Sequence, residues 1–447
     1  MELTLQEFLI DALENNDNQK LIQYVSISFP VDIGNELEDF SDEDLEAFLE
    51  IIDNDLLVPI VDEAYEELQL RIIEMLNTQD ILAVFKTLPT DEVVDILGLL
   101  PFSKKKILLN SMRKKESEVI ETLLNYEPDS AGGIMTTEYI ALKSNITVIN
   151  ALTKIKQIAP KTEIIETLFV INTSRELVGT IDLRDILVAD DDTLLETIMD
   201  TNVMSVHPET DQEHVSQLAS KYSMQVIPVV NRRNALLGII TIDDIIDVLT
   251  EEYTEDILQM GGVDKDETID NDILSSIKMR LPWLCVNFFT ALIASSIVGI
   301  FDATIEKVVA LAVAMPIITG MGGNAGTQTL TIVIRNIALG EIESEEHRAI
   351  LLKELVLGIV HGTLIGLLAG SFLFIVYGNI YLSLIALTAM LFNMTIACIL
   401  GFLVPITLKK LNIDPALSSG IFLTTATDTF GFFVFLGLAT VFMQYLI

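Results

Sequence analysis

Long stretches without charge in the last third of the chain constrain its fold more than any other feature. No Asp, Glu, Lys or Arg occurs in residues 282–301, 308–334 or 355–408, and residues 416–447 contain only Asp428. A helix needs about 20 apolar residues to cross a bilayer, so the third stretch accommodates two crossings. The sequence therefore predicts five membrane-spanning helices. Buried helices of a large soluble protein are the alternative, but such helices usually keep a polar face.

The rest of the chain is strongly acidic. Residues 1–280 carry 21 Lys and Arg against 56 Asp and Glu, a net charge of −35, whereas residues 281–447 carry only −3. No basic patch dominates, which argues against nucleic acid as a partner. The cysteines, Cys285 and Cys398, both lie in the apolar part, so no disulfide framework is predicted. The N-terminus is acidic and lacks the basic start of a signal peptide.

Basic residues predict the orientation in the membrane. One set of flanks would hold Lys307 alone. The other set holds Lys278, Arg280, Arg335, Arg348, Lys353, Lys409 and Lys410. Because Lys and Arg favour the cytoplasmic side, we expect a multi-pass protein of the cell (inner) membrane, with a cytoplasmic N-terminus and an external C-terminus.

The acidic body contains an internal repeat. Residues 166–187 align without gaps to residues 225–246, at an offset of 59. Each copy has the pattern of a strand, a polar turn, a second strand and a helix, and a helical stretch precedes each copy. This β-α-β-β-α order, occurring twice, resembles a tandem pair of CBS modules.

The second copy also carries a short string found in nucleotide-binding CBS modules, Gly238, Thr241 and Asp244. The first copy has Asp182 in place of the hydroxyl residue. A short motif is weak support for a ligand, so a nucleotide sensor and a purely structural module both stay open.

A stretch rich in glycine interrupts the second apolar segment. Residues 320–326 read GMGGNAG, with Pro316 before them and Gln328 after them. Proline disfavours a continuing helix and glycine permits unusual backbone, so we expect a broken helix here. A Gly/Pro interruption of a hydrophobic segment is typical of a transport site. Tight packing through small residues is the alternative. A phosphate-binding loop would need a preceding strand in a soluble βαβ unit, and neither is apparent.

Asp428 is a second sign of an ion pathway. A carboxylate near the bilayer centre costs about 2.5–3.5 kcal/mol even on the lenient insertion scale, and such residues are usually functional. No Lys or Arg within a span is available to pair with it, and an all-oxygen environment suits a hard cation such as Mg²⁺ or Ca²⁺. A protonated, silent Asp428 is the alternative. His361 and Asn393 are isolated polar residues, which we expect to be hydrogen-bonded packing residues.

These features together resemble an MgtE-type magnesium channel over essentially the whole chain. The resemblance rests on the CBS pair, YEPDSAGGIMTTEY (126–139), MPIITGMGGNAGTQ (315–328), NIDPAL (412–417) and TTATDTFGFF (424–433). It implies an α-helical membrane protein with five transmembrane helices per subunit, a helical N-terminal domain and α/β tandem CBS domains. The expected boundaries are 1–130 for the N-terminal domain, 131–198 and 199–250 for the CBS domains, 251–280 for a connecting plug helix and 281–447 for the pore domain.

The resemblance also implies roles for individual residues. In a homodimer with the pore between the second and fifth spans, Asp428 matches the ion-selecting position, Asn324 the pore asparagine and Asp414 an acidic residue near the cytoplasmic gate. Further positions match Mg²⁺ sensor ligands, with Gly133 offering a backbone carbonyl. The sensor set is Asp91, Asp95, Gly133, Asp211, Glu213, Asp244, Asp247, Glu252, Glu255 and Asp256. Ser223 departs from the family pattern, which has an aspartate there.

The expected function is Mg²⁺-selective influx, closed by cytoplasmic Mg²⁺ that binds the acidic region. Like charges within about 8 Å repel at physiological salt, and bridging divalent ions would reverse that repulsion. The protein is not expected to be an enzyme. Its partners would be a second copy, the lipid bilayer and Mg²⁺ ions, with ATP at the CBS pair left open. The alternatives are transport of another divalent ion (Co²⁺, Mn²⁺ or Ca²⁺), a cation-coupled exchanger, and a membrane-anchored nucleotide-binding regulator or enzyme.

Overall fold

The chain forms two compact units, Met1–Val248 and Leu249–Ile447. We call them the N-terminal unit and the C-terminal unit. The computed structural model describes residues 4–447 except 16–17, 160–161, 163, 270, 343–346, 412 and 418.

Short amphipathic helices form the first part of the N-terminal unit. Their apolar faces bury residues such as Leu45, Phe48 and Ile72, and side chains cap several of their first turns. For example, Asp53 accepts a hydrogen bond from the Leu56 amide, so a new helix begins at Asn54. The helices are α1 (Leu5–Asn15), α2 (Gln19–Ile27), α3 (Pro30–Glu38), α4 (Asp42–Ile51), α5 (Asn54–Asp62), α6 (Glu66–Met75), α7 (Thr78–Phe85), α8 (Thr90–Leu99), α9 (Phe102–Ser111) and α10 (Lys114–Leu123).

The predicted repeat folds into two similar α/β modules. The first contains β1 (Ala141–Lys143), α11 (Val148–Ile158), β2 (Thr167–Ile171), β3 (Leu177–Asp182), α12 (Leu183–Val188) and α13 (Leu195–Ile198). The second contains α14 (Gln212–Tyr222), β4 (Val226–Val230), β5 (Leu236–Thr241) and the start of α15 (Ile242–Met260). The offset of 59 holds for the bounds of both strand pairs. In the second module, the strand that would match β1 is reduced to one parallel bridge between Val206 and Val229.

The two modules pack directly against each other. The Leu177 amide donates to the Asn234 carbonyl at 2.7 Å, and the Asn234 side chain donates back to the Leu177 carbonyl at 2.7 Å. Phe169 from the first module shares an apolar cluster with Val226 and Val230 from the second. The pair is therefore one structural unit, as a tandem CBS arrangement requires.

Helix α15 is longer than the sequence suggests. It begins at Ile242, inside the second module, and continues to Met260, because no helix-breaking residue lies between them. It ends at Gly261 and Gly262, the latter with a φ of +70° that favours glycine. The expected plug helix 251–280 therefore comprises the second half of α15, an irregular linker and the start of the next helix.

Long apolar helices make up most of the C-terminal unit. They are α16 (Ile273–Ile300), the short α17 (Asp302–Lys307), α18 (Ala310–Ala338), α19 (His347–Tyr377), α20 (Ile380–Lys410) and α21 (Ser419–Val441), followed by a 3₁₀ turn at Met443–Tyr445. Among the described residues, α16, α19, α20 and α21 are long and apolar enough to cross a membrane. Helix α18 is long enough at 29 residues, but its glycine, threonine, asparagine and glutamine residues lower its hydropathy. The apolar third of the chain is thus a helical transmembrane region.

The expected break in the glycine-rich stretch is wrong. Helix α18 continues through Pro316 and residues 320–326, and none of the described glycines with positive φ lies there. The buried glycines serve packing instead. A Cβ at Gly326 would lie 2.9 Å from a Leu423 methyl group on α21, and a Cβ at Gly401 on α20 would lie 2.6 Å from the Gly326 carbonyl oxygen. Close helix approach through small residues, the alternative reading, therefore accounts for this side of α18.

Four glycines at every fourth position bring α19 and α20 into backbone contact. A Cβ at Gly358 would lie 2.6 Å from the Thr395 Cα, and one at Gly362 would lie 2.7 Å from the Leu391 Cα. A Cβ at Gly366 or at Gly370 would lie 3.0 Å from a backbone carbonyl oxygen of α20. At Gly358 and Gly362 these distances leave no space for a Cβ, and at Gly366 and Gly370 the space is tight, so the two helices form one closely packed hairpin.

Asn393 is a buried packing residue, as expected. Its side chain is fully buried on α20, and its amide donates to the Ile318 carbonyl on α18 at 2.9 Å. Gly322 of α18 and Gly431 of α21 leave the space that the amide occupies. The other isolated polar residue, His361, is instead exposed on α19, so the expectation of a packing residue is wrong there.

Candidate functional site

Acidic residues meet where the N-terminal helices face the CBS pair, within the N-terminal unit. Asp91 lies on α8 with only 6% of its surface exposed. Burial raises the pKa of Asp244 to about 6, although Thr241 donates to its carboxylate from the backbone at 3.2 Å and from the hydroxyl at 2.6 Å. Asp247, one turn further along α15, also has a raised pKa because of burial and then the charge of Asp243. Asp244 and Asp247 thus lie in one acidic region that α8 adjoins, since the charge of Asp244 also raises the pKa of Asp95 on that helix.

Asp95 lies at the exposed edge of this region on α8. Partial burial among neighbouring atoms is the first cause that raises its pKa to about 6, and the carboxylates of Glu66 and Asp244 add to it. The like charges of two different domains therefore act on the same helix.

Glu92 and Asp62 belong to the same cluster, although no sequence pattern predicted either of them. Burial is the main reason that the pKa of Glu92 rises to about 8, and the charges of Asp62 and Asp95 raise it further. A hydrogen bond from the Gln69 side chain, at 3.3 Å, only partly offsets this rise. Burial and nearby carboxylates likewise raise the pKa of Asp62 to about 6. Glu92 follows Asp91 directly in the sequence, but no sequence pattern indicates that this part of α8 meets the CBS pair.

Gly133, Asp211 and Glu213 lie near a second junction, where the segment before β1 meets the start of α14. The Ala131 amide donates to the Thr210 carbonyl at 2.7 Å, which brings the two segments together. Asp211 caps α14 by accepting from the Glu213 amide at 2.9 Å. A Cβ at Gly133 would collide with the backbone carbonyl oxygens of the preceding turn, so only glycine fits there.

The remaining predicted sensor ligands meet a loop of the C-terminal unit. Burial raises the pKa of Asp256 on α15 to about 6, and the charge of Asp414 is the next cause. Glu252 and Glu255, on the same helix, add to the repulsion. Asp414 is exposed in the loop between α20 and α21, where its carboxylate accepts from the Ala416 amide at 2.8 Å. The end of α15 thus presents negative charge to the loop that leads into α21.

Glu255 has a basic neighbour that was not predicted from the sequence. Lys265, in the linker after α15, places its Nζ 3.8 Å from a Glu255 carboxylate oxygen. The Gln259 side chain also donates to the same carboxylate. The linker is held in place further along, where the Arg280 Nε on α16 donates to the buried Glu267 carboxylate at 2.9 Å.

The predicted pore residues lie on two helices that pack together, α18 and α21. Asp428 is half-buried near the middle of α21, and no described residue forms an ion pair with it. Asn324, Thr327 and Gln328 are all exposed on one face of α18. A Cβ at Gly323 would meet open space on that side of the helix. Asn324 and Asp428 share no described hydrogen bond within one chain, so the structure does not join them directly.

Among the described residues, no three acidic, histidine or cysteine side chains converge closely enough to hold a metal ion. The acidic groups around Glu92 and Asp244, and those around Asp256 and Asp414, instead lie near one another as repelling neighbours. Charge repulsion and burial both penalise this arrangement, and a cation among the carboxylates would relieve both. The geometry suits bridging by a divalent ion rather than a preformed cage.

Comparison with known proteins identifies the family. The Magnesium transporter MgtE of Bacillus subtilis is 33% identical over 397 residues, which cover 89% of this chain and 88% of that protein. The chain belongs to the MgtE family. The Magnesium transporter MgtE of Enterococcus faecalis is 36% identical and aligns over 74% of this chain and 73% of its own length.

Individual regions match separate parts of the MgtE family. Residues 28–129 match the MgtE intracellular N domain, residues 131–192 and 195–251 match CBS domains, and residues 315–438 match the family described as a divalent cation transporter. The crystal structure of the cytosolic domain of the Mg²⁺ channel MgtE in complex with ATP is 28% identical, with a TM-score of 0.52. It aligns with 54% of this chain and 99% of its own.

The matched MgtE regions contain most of the candidate site. Asp91 and Asp95 lie in the matched N domain, and Asn324, Asp414 and Asp428 lie in the matched transporter region. Glu252, Glu255 and Asp256 lie in none of these regions. The assignment of the acidic end of α15 to the candidate site therefore rests on the structure and not on a domain match.

Proposed function

We propose that this MgtE-family chain is a Mg²⁺-selective influx channel that cytoplasmic Mg²⁺ closes. The observation that supports it best is the repulsion between Asp256 on α15 and Asp414 beside α21. A divalent ion bridging the two groups would fix the end of α15 over the loop that leads into α21. Both named relatives are magnesium transporters, which favours Mg²⁺ as the ion.

The pore would form between two copies of the chain. The polar face of α18 at Asn324, Thr327 and Gln328 is exposed, and lipid offers these groups no hydrogen-bond partner. A second copy that covers this face would enclose a water-filled path, with α18 and α21 of each subunit lining it. Asp428 would attract the cation, and Asn324 would supply an amide oxygen. Mg²⁺ loses water reluctantly, so one carboxylate per subunit facing a hydrated ion suits it.

Helix α18 would be the second of five crossings. Its lower hydropathy fits a helix whose polar face is turned toward a pore instead of lipid. Five crossings would put the two termini on opposite sides of the membrane, and the distribution of Lys and Arg supports a cytoplasmic N-terminus.

The acidic junctions of the N-terminal unit would also act as Mg²⁺ sensors, and Mg²⁺ would favour the closed arrangement at each of them. Each carboxylate whose pKa is raised by its neighbours favours separation of the two domains when no cation is present. Mg²⁺ shifts this equilibrium only through its preference for the closed arrangement, and several weak sites together give a steep response. The sensor ligands would be those already placed at the two junctions, with Glu92 and Asp62 as additions.

The CBS pair would also bind ATP. A relative's cytosolic domain has been solved in complex with ATP, which supports this assignment. In this chain the hydroxyl and carboxylate of the nucleotide-binding string, Thr241 and Asp244, are hydrogen-bonded to each other at 2.6 Å. Asp244 also belongs to the acidic cluster, so nucleotide and Mg²⁺ would act on the same part of the body.

Uptake by liposomes containing the purified full-length chain tests the proposal. We expect Mg²⁺ influx, driven by an inside-negative potential, to fall as the Mg²⁺ concentration on the cytoplasmic face of the protein rises. Replacing Glu255 and Asp256 with Gln and Asn should leave influx high at Mg²⁺ levels that close the wild type. Flux that requires a Na⁺ or pH gradient would show that the protein is a coupled exchanger and not a channel. Equal competition by Co²⁺, Mn²⁺ or Ca²⁺ would refute Mg²⁺ selectivity.

A further inference from the structure

Glu354 is a buried acidic residue that the proposed channel function does not use. It lies on α19 directly before the charge-free stretch 355–408, and only 7% of its surface is exposed. In the described part of the chain, no Lys, Arg or His nitrogen lies within 4.0 Å of its carboxylate. Burial of a carboxylate is costly unless other groups compensate it, so the hydrogen-bond partner of Glu354 indicates what this residue does.

The partner of Glu354 is Thr329 on α18, the helix that carries the glycine-rich stretch. The Thr329 hydroxyl donates to a Glu354 carboxylate oxygen at 2.8 Å, and both side chains are buried. The buried Cys398 thiol of α20 adjoins the same pair. A Cβ at Gly401 of α20 would lie 2.9 Å from the Thr329 Cβ, so this glycine leaves the space that Thr329 occupies. Three helices therefore meet at this hydrogen bond.

Other described threonines of the long apolar helices donate to their own helix. The Thr319 hydroxyl donates to the Met315 carbonyl at 3.2 Å, and the Thr363 hydroxyl donates to the Ile359 carbonyl at 2.7 Å. A threonine inside a helix commonly satisfies its hydroxyl in this way. Thr329 instead donates to a different helix, so its hydroxyl links α18 to α19.

A second polar contact holds α18 at the other end of the glycine-rich stretch 320–326. The Asn393 amide of α20 donates to the Ile318 carbonyl at 2.9 Å. Ile318 and Thr329 are 11 residues apart in the sequence, which is close to three helical turns, so both contacts lie on one face of α18, about 16 Å apart along its axis. This face is buried, whereas Asn324 is exposed on another face between the two contacts.

The segment between the two contacts has little helical stability of its own. Glycine and proline are the least favourable residues in a helix interior, and residues 316–326 contain Pro316 and four glycines. A rotation of α18 by one residue position, about 100°, would carry the Thr329 hydroxyl away from Glu354. The same rotation would turn Asn324 away from its exposed position. The contacts at both ends therefore oppose a rotation that the segment itself resists weakly.

We propose that Glu354 is a positioning residue for the ion pathway. By accepting the Thr329 hydroxyl, and together with Asn393 at the other end of the stretch, Glu354 fixes the rotation of α18 that presents Asn324 to a permeating Mg²⁺ ion. This inference rests on the proposed channel function. Glu354 does not touch the ion, and its carboxylate acts here as a hydrogen-bond acceptor and not as a cation ligand.

Mg²⁺ uptake by liposomes containing the full-length chain tests the proposal, with the external Mg²⁺ concentration varied. Thr329→Val removes the hydroxyl and keeps nearly the same shape. A hydrogen bond to a charged group changes an equilibrium by on the order of tenfold, so the half-saturating Mg²⁺ concentration should rise by roughly three- to tenfold. A variant that only folds less well would lower the maximal flux and leave half-saturation unchanged. Thr329→Ser keeps the donor and Glu354→Gln keeps an acceptor, so both should stay within about twofold of the wild type.

Thr319→Val is the matched control, because Thr319 is similarly buried on α18 but donates to its own helix. It should leave the half-saturating concentration unchanged. A value no higher in Thr329→Val than in the wild type, or an equal rise in Thr319→Val, would overturn the proposal. A rise in Glu354→Gln as large as in Thr329→Val would also overturn it, because the charge of Glu354 would then matter and not its hydrogen bond. Absence of Mg²⁺ flux in the wild type would instead refute the channel function on which the proposal rests.

Discussion

Glu92→Gln tests whether the acidic cluster of the N-terminal unit stores repulsion. Gln has nearly the same shape as Glu and keeps a partner for the Gln69 side chain, which donates to Glu92 at 3.3 Å. The change removes the charge that burial and the carboxylates of Asp62 and Asp95 oppose. We therefore expect the variant to be more stable than the wild type when Mg²⁺ is absent.

The pKa of Glu92 sets the size and the pH window of this effect. Folding raises its pKa from 4.5 to about 8, so the folded state binds more protons between these values and stability falls as the pH rises through this window. At 1.36 kcal/mol per pKa unit, the charge costs at most about 5 kcal/mol at pH 9 and about 1 kcal/mol at pH 5. The difference in stability between pH 5 and pH 9 becomes smaller if neighbouring carboxylates bind protons or move apart. A difference of half this size would still be large enough to test the prediction.

The assay is urea unfolding of the N-terminal unit within the full-length chain in detergent, followed by pulse proteolysis with EDTA present. Stability should be compared at pH 5, 7 and 9. Glu67→Gln is the control, because Glu67 is exposed on the neighbouring helix α6. With saturating Mg²⁺, the advantage of Glu92→Gln should shrink or reverse, since the carboxylate would then face a cation.

Two results would refute the reasoning. One is a Glu92→Gln stability curve parallel to that of the wild type from pH 5 to pH 9. The other is an equal gain in Glu67→Gln, which would show that the total negative charge matters and not the cluster.

Three further predictions concern the C-terminal unit. Asp428→Asn should abolish Mg²⁺ flux in liposomes while size-exclusion chromatography shows an unchanged assembly; normal flux would remove Asp428 from the pore. Gly362→Ala should lower the melting temperature in detergent, because overpacking costs about 1–3 kcal/mol, whereas Gly299→Ala, whose Cβ meets open space, should not; equal melting would contradict the tight hairpin. Lys265→Ala should close the channel at two- to fivefold lower Mg²⁺, because an exposed ion pair of about 0.5–1 kcal/mol no longer competes for Glu255; a shift to higher Mg²⁺ would show the opposite role.

The sequence predicted the architecture well where periodicity and composition carry the information. The charge-free stretches predicted the long apolar helices, since a charged side chain within hydrocarbon is costly and therefore rare. The repeat offset of 59 gave both strand pairs, because two copies of one pattern must fold alike.

Prediction was poorer where the outcome depends on neighbours in space. The helix was expected to break at the glycine-rich stretch, yet α18 is continuous. Its glycines Gly322 and Gly326 instead leave space for side chains of α20 and α21. Glycine in a sequence does not say whether it bends a helix or lets another helix approach. Glu92 and Lys265 were missed for a related reason, since their partners lie on other segments and only the fold brings them close.

The ion pair between Arg280 and Glu267 limits how far the end of α15 can travel. The linker from α15 to α16 spans residues 261–272, which fully extended would reach about 40 Å. Because Glu267 is paired with Arg280 on α16, only residues 261–266 can extend without breaking this pair. Their fully extended length is about 20 Å. A larger displacement of the acidic end of α15 must either break this ion pair or move α16 with it. In the second case the movement would be transmitted as a mechanical force to α16, the first membrane helix.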